Sequence, residues 1–229
     1  EVILNSNKFL QPNKIFIIAP KDDITKYGKF YQNIHNVVMV IESDILDIDS
    51  IAWDNFNLPE ISKRKFWYYQ QFLKMSFSYS THLESDHYLI WDADTLPIRE
   101  MLFFENNNTL LTVSENEYHQ EYFDNIHKIF DNEMKLYSKS FISQHLMVTK
   151  EHMLDMLQQI SSDNYCDILL SKLSGKTGSL FSEYETYANY VLNNYASMYT
   201  IKSRPWYRKG GYLVDNIKGL NKYSSRYEY

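Results

Sequence analysis

The sequence predicts an α/β domain with a mostly parallel central sheet flanked by helices. Three observations carry this. Short apolar runs rich in β-branched residues recur along the chain, they are apolar on both faces instead of alternating, and helical periodicities fall between them. At 229 residues, without internal repeat or low-complexity linker, the whole of 1–229 reads as one such domain.

The first run is Ile15-Phe16-Ile17-Ile18-Ala19 and the second Val37-Val38-Met39-Val40-Ile41. A helix follows, with Pro59 before it, Ser62 as N-cap, and Phe66, Tyr69, Leu73 and Phe77 at helical spacing. The third run, His87-Tyr88-Leu89-Ile90-Trp91, and the fourth, Leu110-Leu111-Thr112-Val113, read as further buried strands. A fifth candidate, 141–148, mixes polar residues in and leads to a helix at about 150–160 capped by Thr149. The stretch 171–179, with Gly175 and Gly178, reads as a loop free to move. The last helix starts at Ser182 and carries Tyr184, Tyr187, Ala188, Val191 and Tyr195 on one face.

Composition narrows the function. The net charge of -6 and the lack of a Lys/Arg stripe argue against nucleic-acid binding. Cys166 is the single cysteine, which excludes an intrachain disulfide and a cysteine zinc cluster and suits a cytoplasmic setting. The apolar runs are too short to span a bilayer. Aromatic residues reach 16%, and beyond core packing such a Tyr-rich set suits amphipathic ligands such as sugars.

The third run ends in Trp91-Asp92-Ala93-Asp94-Thr95-Leu96-Pro97. Ligands of open α/β sheets bind beyond the carboxyl ends of strands. Residues two apart on an extended chain face the same way, so Asp92 and Asp94 can address one site. Adjacent carboxylates repel, and a hard cation such as Mg²⁺ or Mn²⁺ between protein and phosphate relieves that repulsion. The other such pattern, Asp47-Ile48-Asp49, follows no buried strand and reads as a solvated acidic turn.

The run Tyr88-Leu89-Ile90-Trp91-Asp92-Ala93-Asp94-Thr95 resembles the D-x-D segment of bacterial glycosyltransferases with the glycosyltransferase A fold. Trp67-Tyr68-Tyr69-Gln70-Gln71-Phe72-Leu73-Lys74, Phe181-Ser182-Glu183-Tyr184-Glu185 and Tyr207-Arg208 extend the likeness to a largely uncharacterised family of bacterial sugar transferases. The resemblance implies transfer of a sugar from a nucleotide-diphosphate donor, UDP by default, to a glycan acceptor during surface polysaccharide synthesis. It implies a metal held by Asp94 and Asp92, with His145 or no protein group as third ligand.

An inverting reaction needs a carboxylate base, and the resemblance points to Glu183 or Glu185. Ser182 and Glu185 fit a capping box, which leaves Glu183 free for either a catalytic or a structural role. Gln70 and Gln71 could read a nucleobase edge and Lys74 could meet phosphate, or the three could form a solvated helix face. Arg204, Arg208 and Lys209, with Trp206 and Tyr207, could offset charge on a departing diphosphate, and Gly210-Gly211 could let that segment close; a surface cluster without such a job is the alternative.

Three rival readings remain. A phosphatase of the haloacid dehalogenase type wants a threonine where Leu96 stands. A nucleotidyltransferase wants a glycine-rich loop after the first strand, where Ala19-Pro20-Lys21-Asp22 stands. A non-catalytic, cation-dependent sugar-binding protein would alternate its strands, although a degenerate transferase that only binds fits the pattern equally well.

Overall fold

The computed structural model describes residues 1–53, 59–114, 117–131, 134–208 and 217–229. The chain opens with helix α1 (Val2–Phe9), strand β1 (Ile15–Ala19), helix α2 (Lys21–Tyr27) and strand β2 (Val37–Ile41). Helices α3 (Pro59–Lys63) and α4 (Lys65–Ser76) lead to β3 (His87–Trp91), and a short hairpin joins β4 (Phe104–Glu105) to β5 (Asn108–Val113). Helix α5 (Gln120–Ile129), strand β6 (His145–Thr149), helices α6 (Lys150–Ile160), α7 (Tyr165–Lys172) and α8 (Glu183–Asn194), and strand β7 (Tyr199–Ser203) complete the fold. The architecture is mixed α/β, and no helix among the described residues is long and apolar enough to cross a membrane.

The expectation of one mostly parallel sheet needs correcting. The strands form three small sheets, β1-β2, β3-β6 and β4-β5-β7. Two of the four strand pairs, β3-β6 and β4-β5, are antiparallel. Five apolar runs do become strands, but a run apolar on both faces looks the same whichever way it enters a sheet. β5 and β6 still lie side by side without a ladder, and Thr112 Oγ1 and His145 Nε2, 3.1 Å apart, link them.

The core gathers Tyr68, Phe72 and Met75 of α4, Ile126 of α5, Met153 and Met156 of α6, and Tyr187 and Val191 of α8 against the strands. Burying a large apolar side chain contributes about 1.5–3 kcal/mol, so these helix faces explain why α4 and α8 are held tightly. Three local expectations change. Ser62 lies inside α3 and caps nothing; the chain bends at Arg64, which precedes α4 without a side-chain cap. Phe66, read as a core position, is 76% exposed. The 171–179 stretch is tethered: Ser171 and Lys172 finish α7, Glu121 Oε1 accepts the Lys176 amide at 2.7 Å, and Asn125 Oδ1 accepts the Ser174 amide at 3.0 Å. A Cβ on Gly175 would collide with Leu180 and with the Glu121 carboxylate.

Candidate functional site

Antiparallel pairing with β6 continues one residue past β3, where the Asp92 amide donates to the Gln144 carbonyl at 3.0 Å. The chain then turns, the Thr95 amide bonding the Asp92 carbonyl at 2.9 Å and the Trp91 indole N–H bonding the Thr95 carbonyl at 2.8 Å. This fixes the Asp92 side chain and leaves Ala93 and Asp94 exposed. From α4, Lys74 Nζ reaches Asp92 Oδ1 at 2.6 Å and Glu183 Oε1 at 2.8 Å. Tyr184 donates its hydroxyl to the same Asp92 oxygen at 2.9 Å. Gln71, buried, accepts the Glu183 amide at 3.1 Å and so ties the first turn of α8 to α4.

Three elements therefore meet here: the end of β3, the last turn of α4 and the start of α8. Glu183 is only 3% exposed, and burial raises its pKa despite the opposing pull of Lys74; the Asp92 charge adds to the rise. Burial pushes the Lys74 ammonium down, but Glu183 and Asp92 together outweigh it and leave its pKa above the ordinary lysine value. One ammonium thus serves two carboxylates, and Asp94 adds a third acid close by.

The spare valence is specific. The Asp94 carboxylate and Asp92 Oδ2 make no hydrogen bond or ion pair among the described residues. Two adjacent carboxylates suit a hard divalent cation that completes its coordination with phosphate and water. They do not suit a closed structural site, and no cluster of three His, Cys, Asp or Glu able to hold a metal occurs among the described residues.

Other expected site residues lie elsewhere or do other work. Glu185 is fully buried, its carboxylate accepting from the Ser140 hydroxyl and, at 3.0 Å, from the Phe141 amide. The capping box is half formed: Ser182 accepts the Glu185 amide at 3.4 Å, but the carboxylate turns to the 140–141 segment instead of returning to the helix start. Burial pushes the Glu185 pKa up to about 7, with the Ser140 and Phe141 bonds opposing.

His145 is not a metal ligand in this arrangement. Nδ1 bonds the Ser143 carbonyl at 2.9 Å, and Nε2 faces the Thr112 hydroxyl, whose own oxygen already accepts from Arg204 Nε at 3.1 Å. That network assigns a neutral ring with both nitrogens engaged, and burial, helped by Arg204, pushes its pKa down to about 3. Arg204 is no phosphate clamp either: it is buried, and its guanidinium bonds Thr112, the Leu102 carbonyl and Glu228, the last at 2.7 Å. Arg208, 61% exposed in its side chain, pairs with Glu117. Gln70 is half-buried with no hydrogen bond among the described residues. Lys209 and Gly210-Gly211 lie outside the described residues. Asp47-Ile48-Asp49 is a local turn in which Asp47 accepts the Asp49 amide at 3.0 Å.

Two residues at the site were not legible in the sequence. Tyr184 reads as helix packing until its hydroxyl is seen on Asp92. Gln144, facing Asp92 across the strand pair, has φ 61°, a left-handed conformation costly for a glutamine away from any hairpin. An open depression of about 520 Å³ lined by Lys8, Phe9, Ile98, Arg99, Glu100 and Ser224 contains none of the clustered acids, so charge and geometry, not concavity, define the site.

Fold and site together define a mixed α/β protein with an acidic centre at a strand end, with carboxylate oxygens to spare. The chain belongs to a family of unknown function, DUF6492, whose model matches residues 2–205. No curated protein matches it.

Proposed function

We propose that this protein is a metal-dependent glycosyltransferase of the glycosyltransferase A type, moving a sugar from a nucleotide-diphosphate donor to a hydroxyl of an acceptor glycan. The observation that carries the reading is the junction of Asp92, Lys74 and Glu183, with Asp94 free beside it. When bound, Mn²⁺ or Mg²⁺ on Asp94 and Asp92 Oδ2 would supply positive charge against a diphosphate.

Lys74 and Tyr184 hold Asp92 in one orientation, so its second oxygen is presented without reorganisation. Glu183 has one oxygen on Lys74 and, among the described residues, no bond from another residue to the second, as a base needs. As the acceptor oxygen bonds to the anomeric carbon, the bond from that carbon to the diphosphate breaks and the hydroxyl proton passes to Glu183. Its raised pKa makes Glu183 a better proton acceptor than a surface glutamate, and the Lys74 ammonium pulls against that rise in favour of the carboxylate. UDP is the default carrier, and assembly of bacterial surface polysaccharide is the setting the sequence resemblance suggests.

The test is to incubate the protein with Mn²⁺ and a panel of UDP-, GDP- and CMP-sugars and follow release of the nucleotide. Release from one donor, stimulated by an added glycan, supports the reading. Release from none of them, with phosphate freed from phosphomonoesters instead, would move the assignment to a phosphatase.

A further inference from the structure

Among the described residues, the non-glycine positions with positive φ are Gln11, Asn106, Asn107, Asp131 and Gln144. Four of them stand where a left-handed backbone is ordinary. Asn106 and Asn107 form the β4–β5 turn, and Gln11 and Asp131 follow the last turns of α1 and α5. Gln144 stands at no hairpin and no helix end. It leads directly into β6 at φ 61°, a conformation from which a glutamine gains nothing locally. Strain kept at such a place points to a use for the side chain.

The β3–β6 ladder sets the side of the sheet on which that side chain belongs. Trp91 and His145 are paired, and their rings stack on one face with centroids 5.4 Å apart. Side chains alternate faces along a strand, so the next rung, Asp92 with Gln144, belongs to the opposite face. The Asp92 amide on the Gln144 carbonyl at 3.0 Å makes that rung. Asp92 meets Lys74 and Tyr184 there, both donating to Oδ1, which leaves Oδ2 to a ligand. Directly opposed residues have Cβ atoms about 5 Å apart, within the reach of a glutamine. Gln144 is half-buried, and its carboxamide makes no hydrogen bond among the described residues.

We infer that the Gln144 side-chain carbonyl is the third protein ligand of the divalent cation at Asp92 and Asp94. This rests on the transferase reading and deepens it by completing the metal set. Hard cations accept glutamine carbonyl oxygens beside carboxylates. A neutral ligand suits a junction that already sets three carboxylates against one ammonium, where a further anion would add repulsion. It also fills the place expected of His145, whose ring nitrogens are both engaged elsewhere. The left-handed backbone then serves to bring this side chain beside Asp92.

The experiment titrates Mn²⁺, alone and with UDP, GDP or CMP, by the electron paramagnetic resonance of the free ion, alongside thermal unfolding of the metal-free protein. It is run on the wild type, Asp94→Ala, Gln144→Gly and Gln144→Glu. Glycine adopts φ 61° without strain, so Gln144→Gly should fold and should unfold about 2–4 °C higher than the wild type. The expected result is Mn²⁺ binding about tenfold weaker in Gln144→Gly despite that gain. Gln144→Glu, which offers a carboxylate oxygen in the same place, should bind Mn²⁺ at least as tightly as the wild type. Unchanged Mn²⁺ affinity in Gln144→Gly overturns the assignment, and so does a lower unfolding temperature, which would make the side chain structural. Weakened binding in Gln144→Glu also overturns it, putting the amide N–H on phosphate instead. Mn²⁺ binding that depends on Asp94 but not on Gln144 sinks this inference alone; no Mn²⁺ binding by the wild type under any condition removes the transferase reading with it.

Discussion

Two charge clusters sit near the His145 end of β6, one around Arg204 and one around Lys74, and they are built to opposite rules. Around Arg204, two guanidiniums share one carboxylate and its oxygens are spent: Arg204 bonds Glu228, Thr112 and Leu102, and Arg99 takes the other Glu228 oxygen at 3.0 Å. The clasp holds the 228–229 segment, whose backbone bonds Ile98, Pro205 and Tyr207, against the turn after Asp92. Around Lys74, one ammonium meets two carboxylates, and among the described residues a third, Asp94, has no partner and oxygens on Asp92 and Glu183 remain unused. A cluster whose bonds are all satisfied stabilises a fold. A cluster with excess negative charge and unspent oxygens costs stability, and a cationic ligand would offset that cost.

The sharpest way to break this contrast is Glu183→Gln. Turnover should fall by about 10²–10⁴ while metal-dependent nucleotide binding persists, read as kcat against Kd for the nucleotide. Equal turnover would return Glu183 to a structural role.

On the other side, Arg204→Met leaves Glu228 without its main partner in a largely buried place. Chemical denaturation should show a loss on the order of 3 kcal/mol. Folded protein should still bind nucleotide as before.

Glu185 refines the comparison, because it lies one turn face away from Glu183 and has both oxygens bonded. Glu185→Ala orphans the Ser140 hydroxyl and the Phe141 amide, for a loss of about 1–3 kcal/mol. The acid also sets a pH signature. Its pKa rises from an ordinary 4.5 to about 7 in the folded protein, so between those values the folded state binds more protons than the unfolded one. Its contribution is then fully present below pH 4.5 and is lost as pH rises through 7. Denaturation midpoints across that range should fall less steeply in Glu185→Gln than in the wild type.

The smallest expected effect is that of Tyr184→Phe. Removing one hydrogen bond of about 1 kcal/mol from Asp92 should weaken Mn²⁺-dependent nucleotide binding several-fold and leave the fold unchanged.

Much of this was legible in the sequence, and the gaps have physical causes. Strands at 15–19, 37–41 and 87–91 follow from apolar β-branched runs, since burial on both faces leaves a plain mark. Strand direction leaves none, so the antiparallel β3–β6 pair was missed, as was the two-residue β4. Asp92 and Asp94 stood out because they follow a buried strand. Lys74 and Glu183 could be suspected of serving that strand end, but not of sharing a bond, since their contact joins two helices 109 positions apart in the sequence. Phe66 shows the limit of periodicity: its spacing matches Tyr69 and Leu73, and only the bend at Arg64 decides that it faces out. His145 and Arg204 were natural candidates by residue type, and each was absorbed by neighbours distant in sequence, Thr112, Leu102 and Glu228, that no local pattern announces.

The most direct test of the central claim is a calorimetric titration of UDP, GDP and CMP, each with and without Mn²⁺, on the wild type and on Asp94→Ala. Asp94 is exposed and has no partner among the described residues, so its removal should change stability by less than about 0.5 kcal/mol. The account predicts that one nucleotide binds only with metal, and that this binding disappears in Asp94→Ala at unchanged thermal stability. Nucleotide binding that is indifferent to both Mn²⁺ and Asp94, or absent throughout, would contradict it.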